Sequence, residues 1–206
     1  MSALLEYYCQ VPVNGYEVIT DDEWEEGKIQ PRSERTKRVD LFKGSPSAFL
    51  DFAQTPATED GIKDFADRYG PLFPAGDVIK FWSEEIRTMH RTVELWNMSK
   101  KTGDFRKLIS VVRKTFLKVG LVDEEPGVTV ELFLKEDPLS ACIRPRTLLH
   151  ALWAQLVLAI DGNMDLGVCV QCRKWFRLDA GRGRSDKQYC SNACRMRAYR
   201  KRKVSG

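Results

Sequence analysis

Apolar residues recur every three or four positions in three stretches of the chain, and each recurrence predicts a helix. Val78, Trp82, Ile86, Met89, Val93 and Trp96 mark the first, with charge between them. Phe105, Leu108, Ile109, Val112 and Phe116 repeat the pattern after a break at Thr102 and Gly103, so these two helices are expected to pack antiparallel. A third helix is predicted to start near Pro145, a residue suited to a first helical turn, and to run to Ile160 before Asp161 and Gly162 stop it. Apolar side chains lie on nearly every side of it, which predicts the most buried element. Shorter helices are predicted at 47–53 and 58–69, the second ended by Gly70 and Pro71.

Strict alternation is rarer. In GVTVELFL, residues 127–134, Val128, Val130, Leu132 and Leu134 share one face, and Thr129, Glu131 and Phe133 the other. YEVIT at 16–20 and KRVDLF at 37–42 are candidates to pair with it in one small sheet. The expected fold of residues 1–166 is therefore mainly α, an α+β domain with a minor sheet. The glycines of 162–167 mark a break before a small module, 167–206.

Charge sharpens that division. The chain has 206 residues, 43% of them hydrophobic, and a net charge of +4. Residues 167–206 hold 12 Lys or Arg against Asp179 and Asp186, a balance of +10, which leaves −6 for the rest. An acidic body joined to a basic module points to a polyanionic partner for the module. The opening MSALLEYYCQVPV has neither a basic stretch nor a long apolar core, so no secretory signal is expected. The most apolar run, LLHALWAQLVLAI from Leu148, is interrupted by His150 and Gln155 before it is long enough to span a bilayer. A cytoplasmic protein with no membrane partner is expected, and in that compartment paired cysteines hold metal more often than they form disulfides.

Cys169, Cys172, Cys190 and Cys194 are spaced C-x2-C-x17-C-x3-C. Two thiolates two residues apart can grip one ion from a tight turn, and a second pair opposite completes the tetrahedral shell that Zn²⁺ accepts from four sulfurs. Between the pairs, RKWFRLDA alternates like a strand, AGRGRSD supplies a turn and KQYC suits a returning strand. Ser191 is a natural N-cap that places Cys194 in the first turn of a helix. Knuckle, hairpin and ligand-bearing helix together make a treble clef. Disulfides would need an oxidising compartment. An iron–sulfur cluster also uses four thiolates, but the spacing and flanking elements favour one zinc ion in a closed structural site, which argues against catalysis by the metal. About forty residues so poor in aliphatic side chains would not fold by burial alone.

The module, with WF after its C-x2-C and RSDKQYCSNACRMRAYRKRK around its second pair, resembles the C-terminal treble-clef fingers of bacterial proteins that join a helical N-terminal domain to such a finger, including the CGNR zinc-finger group. Arg195, Met196 and Arg197 stand where that group has Gly-Asn-Arg, so the resemblance is to a sister family. It implies DNA binding and transcription regulation. GIKDFADRYGPL, from Gly61, is similar to a segment of uncharacterised bacterial proteins with this finger and implies no function.

The closing helix carries the charge. Arg197, Arg200 and Lys201 share one face at i, i+3 and i+4, Arg195 and Arg202 lie on another, and Lys203 follows. Zinc and four thiolates leave the module at +8, and guanidinium groups match phosphate oxygens. Met196 and Tyr199 are expected to pack toward the knuckle on Trp175 or Phe176. The first reading is a nucleic-acid-binding transcription regulator, DNA favoured over RNA, whose body senses a ligand, binds a partner or forms a homodimer. The second is an RNA-binding or ribosome-associated finger protein, and the third a protein adaptor. No enzyme is expected, because His90 and His150 both lie outside the module. His150 reads as a hydrogen-bonded core residue and His90 as a surface or interfacial one, while Cys9 and Cys142 read as small apolar residues. The acidic run DDEWEE, 21–26, reads as a solvated loop, with competition for the finger's phosphate surface as the bolder alternative.

Overall fold

The computed structural model describes residues 4–5, 7–21, 24–73, 77–119, 121–122, 125–126, 128–133, 140–178 and 187–204. The chain divides into two compact units, Met1–Val157 and Leu158–Gly206. The first opens with strands β1 (Leu4–Leu5), β2 (Tyr8–Pro12), β3 (Tyr16–Asp21), β4 (Trp24–Pro31) and β5 (Thr36–Asp40). Helices α1 (Leu41–Gly44), α2 (Ala48–Ala53), α3 (Glu59–Tyr69), α4 (Ile79–Thr102) and α5 (Arg106–Val119) follow. Strands β6 (Leu121–Val122), β7 (Glu125–Pro126), β8 (Val128–Phe133) and β9 (Ser140–Pro145) then lead to α6 (Leu148–Asp161).

The longer helices are where the periodicity puts them, whereas the stretch read as a strand over 37–42 stops at Asp40 and gives way to the short helix α1. Thr58 caps α3 by accepting the Gly61 N–H at 3.3 Å, and Glu59 and Asp60 complement its N-terminus. Gly103, left-handed at φ 74, ends α4 with its N–H on the Ser99 carbonyl. Trp82, Ile86, Met89, Val93 and Trp96 are buried along one face of α4, each burial contributing about 1.5–3 kcal/mol. Trp82 meets Phe52 of α2 and Phe65 of α3 in a tilted aromatic cluster, with ring centroids 5.2 to 6.0 Å apart.

The start of α6 differs from the expectation. Pro145 ends β9, and the cap is Thr147, whose hydroxyl accepts the His150 N–H and lies 2.7 Å from His150 Nδ1. His150 is thus the bonded core residue expected, and His90 sits exposed with Nδ1 donating to the Ala53 carbonyl at 2.8 Å. Gln155, which interrupts the apolar run, is a buried hub: its carbonyl accepts from Phe49 N, and its amide donates to the carbonyls of Leu41 and Ser45.

The strands form separate ladders where one sheet was expected. β2 pairs antiparallel with β5, β3 with β4, and β8 with β9, which β1 joins in parallel. Alternation identifies a strand and its faces but not its partner, and here nearness along the chain decides the pairing of β3 with β4 and of β8 with β9. The side chains of β8 lie outside the described residues, as does that of Cys142. Of DDEWEE, Asp21 and Trp24 pair across the β3–β4 turn, while Asp22 and Glu23 lie outside the described residues. No described helix is long and apolar enough to cross a membrane.

In the second unit the end of α6 turns at Asn163, left-handed at φ 48, into β10 (Asp165–Val168), β11 (Trp175–Leu178) and α7 (Asn192–Val204).

Candidate metal centre

β10 and β11 form an antiparallel hairpin in which Val168 faces Trp175 and Gly167 faces Phe176. The strand after the first cysteine pair therefore pairs with the strand before it, not with KQYC, which is irregular. The AGRGRSD turn lies outside the described residues. The hairpin loop is the knuckle. Cys169 N–H donates to the Lys174 carbonyl at 2.9 Å and Arg173 N–H to the Cys169 carbonyl at 2.8 Å, closing the loop on itself. Arg173 takes the left-handed conformation, φ 63, that closure demands. Backbone N–H groups thereby converge on the Cys169 sulfur.

The second pair arrives by two further anchors. Val170 N–H donates to the Gln188 carbonyl at 3.0 Å and draws 187–190 alongside the knuckle. Ser191 then caps α7, its hydroxyl accepting from Cys194 N at 3.3 Å, and places Cys194 in the first helical turn as its position predicts.

All four sulfurs lie within 4.8 Å of one another. Cys172 Sγ is 3.7 Å from Cys190 Sγ, which is 3.5 Å from Cys194 Sγ. Four sulfurs about 2.3 Å from a central ion stand about 3.8 Å apart, so the spacing fits one tetrahedral ion. It does not fit disulfides, which need about 2.05 Å, and these cysteines are free. A multi-iron cluster would spread its thiolates over different irons and hold them farther apart. Burial alone would raise the Cys169 thiol, but the N–H groups of Cys190, Cys172 and Gln171 outweigh it and bring the thiol down to about 6. Cys190 moves the other way, pushed up to about 12 by burial and then by the adjoining Cys194 and Cys172 sulfurs. Such crowding is tolerable for four thiolates only around a cation.

Cys169, Phe176 and Cys194 form the buried centre of this unit, with Cys172, Leu178, Tyr189 and Cys190 packed against them. Lys187 Nζ lies 5.2 Å from the centroid of the Phe176 ring. A Cβ on Gly167 would stand 2.8 Å from that ring, so the glycine makes the room Phe176 occupies. The sequence pointed to the ligands but not to the packing of Phe176; Gly167, eight residues before Trp175 and opposite Phe176 once the hairpin closes, was its signal.

On α7 the side chains of Arg195, Arg197, Arg200, Lys201 and Arg202 are exposed, and that of Lys203 lies outside the described residues. Met196 and Tyr199 correct the sequence reading: they are 46% and 55% exposed and do not close over Trp175 or Phe176. Cys194 and Ala198, four apart, face inward instead, and the ring space above the knuckle is filled by Phe176 and Tyr189. Beside the first turn of α7 is a cavity of about 620 Å³, lined by Lys187, Gln188, Ser191, Asn192 and Arg195 among others.

No family model matches the chain, and no curated protein matches it.

Proposed function

We propose that this chain is a zinc-finger nucleic-acid-binding protein, with DNA the favoured polymer and transcription regulation the use. The observation that carries the reading is the set of five exposed cations on α7, a helix tied to the four-sulfur site through Cys194. Zinc is the metal the site suits: a d¹⁰ ion takes four sulfurs in a tetrahedron, and the closed shell leaves no position for substrate. The ion supplies cross-linking rather than chemistry, so the chain is read as a non-enzyme. Knuckle, hairpin and ligand-bearing helix are the parts of a treble clef, and the second unit is read as that fold and as a sister of the CGNR group.

A helix held rigid at its N-terminus presents charges without first having to be ordered, and phosphate rows reward that by releasing counterions. Arg197, Arg200 and Lys201 are assigned to phosphates, since phosphate contacts position a protein without specifying sequence. Arg195 and Arg202 lie on the adjoining face, where Arg195 is the candidate for a guanine edge. Reduced thiols suit a cytoplasmic setting, and a homodimer through the first unit would supply the second contact a lone finger lacks.

Competition binding tests the reading. Zinc-loaded protein should bind labelled duplex DNA, with unlabelled duplex displacing it better than structured RNA and far better than a non-nucleic polyanion such as heparin fragments at equal charge. Preference for RNA would move the assignment to the RNA-binding alternative, and no binding to either polymer would leave the adaptor.

A further inference from the structure

The face of α7 turned away from the sulfur cluster carries side chains that folding does not call for. From Arg195 to Lys203 six of the nine residues are basic, and the exceptions are Met196, Ala198 and Tyr199. Ala198 is half-buried on the side of Cys194, so packing accounts for it. Met196 and Tyr199 are exposed on the opposite side, where a charge would keep the helix soluble at no cost to the core. We propose that Asn192, Met196 and Tyr199 form a ridge that enters the major groove of duplex DNA and covers thymine methyl groups, an assignment that rests on the nucleic-acid reading of α7 and names the bases it meets.

The three exposed residues stand at i, i+4 and i+7, which is one line along a helix. At about 1.5 Å per residue they extend over about 10.5 Å, or about three base-pair steps of about 3.4 Å. Arg195 and Arg202 flank the ridge on one side, and Arg200, with Arg197 beyond it, on the other. None of these four arginines has an ion pair among the described residues. An α-helix about 10–12 Å across fills a groove about 12 Å wide. With the ridge on the floor of the groove, the two cationic flanks meet the phosphates of its two walls, so charge and shape select the same orientation. Ser191 and Cys194 hold the first turn to the sulfur cluster, which fixes the rotation in which the ridge is presented.

The side chains of the ridge match one base pair better than the other. Among the four bases thymine alone carries a methyl group into the major groove, an apolar surface that Met and Tyr can cover. Adenine, its partner, presents the acceptor and donor that an Asn amide answers with two hydrogen bonds. Cytosine offers an amino donor there, to which a thioether and a ring face give a poor reply. The unbranched Met196 side chain also adapts its shape to the methyl it meets. Arg195, at the edge of the ridge, keeps its assignment to guanine.

Selection from a randomised duplex pool by the full zinc-loaded chain tests this. The enriched duplexes are then resynthesised with deoxyuridine in place of thymidine, a change that removes the methyl and keeps pairing and charge. Enriched sequences should share a run of about three or four A·T pairs, and their deoxyuridine copies should bind about fourfold more weakly for each methyl covered. The double variant Met196→Ala, Tyr199→Ala changes exposed side chains only, so it should keep its zinc and the salt slope of binding while losing the preference for thymidine over deoxyuridine. Asn192→Ala should relax selection at one adenine by about tenfold. Enrichment of G·C pairs alone, equal binding of the two kinds of duplex by the wild type, or a double variant that still prefers thymidine overturns the ridge and leaves phosphate binding by α7 standing. Failure of the chain to retain any duplex overturns both.

Discussion

At the residue scale, Gln155 and Asp77 are buried side chains whose polar atoms are taken up by backbone groups of the first unit. Gln155 breaks an apolar run in the text, yet it satisfies three backbone groups of α1, α2 and the turn between them. Its partners lie more than a hundred positions away, so no local pattern contains them. Asp77 is similar. Burial raises its carboxyl from an ordinary 3.8 to about 6, although the N–H groups of Phe73 and Leu72 pull against the shift. A carboxyl whose folded pKa is raised binds its proton more tightly in the native state, so stability is lost as pH rises from about 4 to about 6. Asp77→Asn removes that loss, and denaturant melts across this range should show the variant gaining on the wild type with rising pH. A constant difference between the two would mean that Asp77 does not titrate in that window.

At the scale of elements, helix positions were legible because a period of 3.6 is a local property. Strand partners and helix faces were not, because they depend on what arrives from elsewhere. The alternation at 16–20 and at 37–42 located β3 and β5 but not their partners β4 and β2, and it implied the wrong ladders. The three-residue spacing of Met196 and Tyr199 fitted a packed face of α7, but Phe176 and Tyr189 take that space. The difference has measurable consequences. Tyr199→Ala should change the stability of the second unit by no more than about 0.5 kcal/mol, as for an exposed side chain. Phe176→Ala, which empties the space over Cys169 and Cys194, should cost about 3–5 kcal/mol and speed zinc release to a chromogenic chelator. Equal release rates in the two variants would contradict this packing.

At the scale of the molecule, the four-cysteine cluster and the charge asymmetry were legible together, since the spacing of ligands and the placing of Lys and Arg are both written directly in the text. A cavity of about 690 Å³ between the β2–β5 and β3–β4 ladders of the first unit was not, because its walls come from segments far apart in the chain. The two units should respond differently to loss of metal. Cys172→Ser or Cys194→Ser should release zinc and unfold the second unit, whose folding draws on the order of 10 kcal/mol of apparent binding free energy from the ion. The first unit has its own apolar core and should keep its thermal transition. An ordered second unit in metal-free protein, read from amide exchange of α7, would contradict a structural role for the ion.

Phosphate binding by α7, on which the proposed function stands, is open to a salt titration of duplex binding. The triple variant Arg197→Ala, Arg200→Ala, Lys201→Ala should retain one zinc per chain and bind every duplex more weakly to a similar degree. Its plot of log K against log salt should be shallower than the wild type's by about 0.9 per lost contact, or about 2.7 in all. An unchanged slope with zinc intact would show that this face of α7 does not touch the nucleic acid.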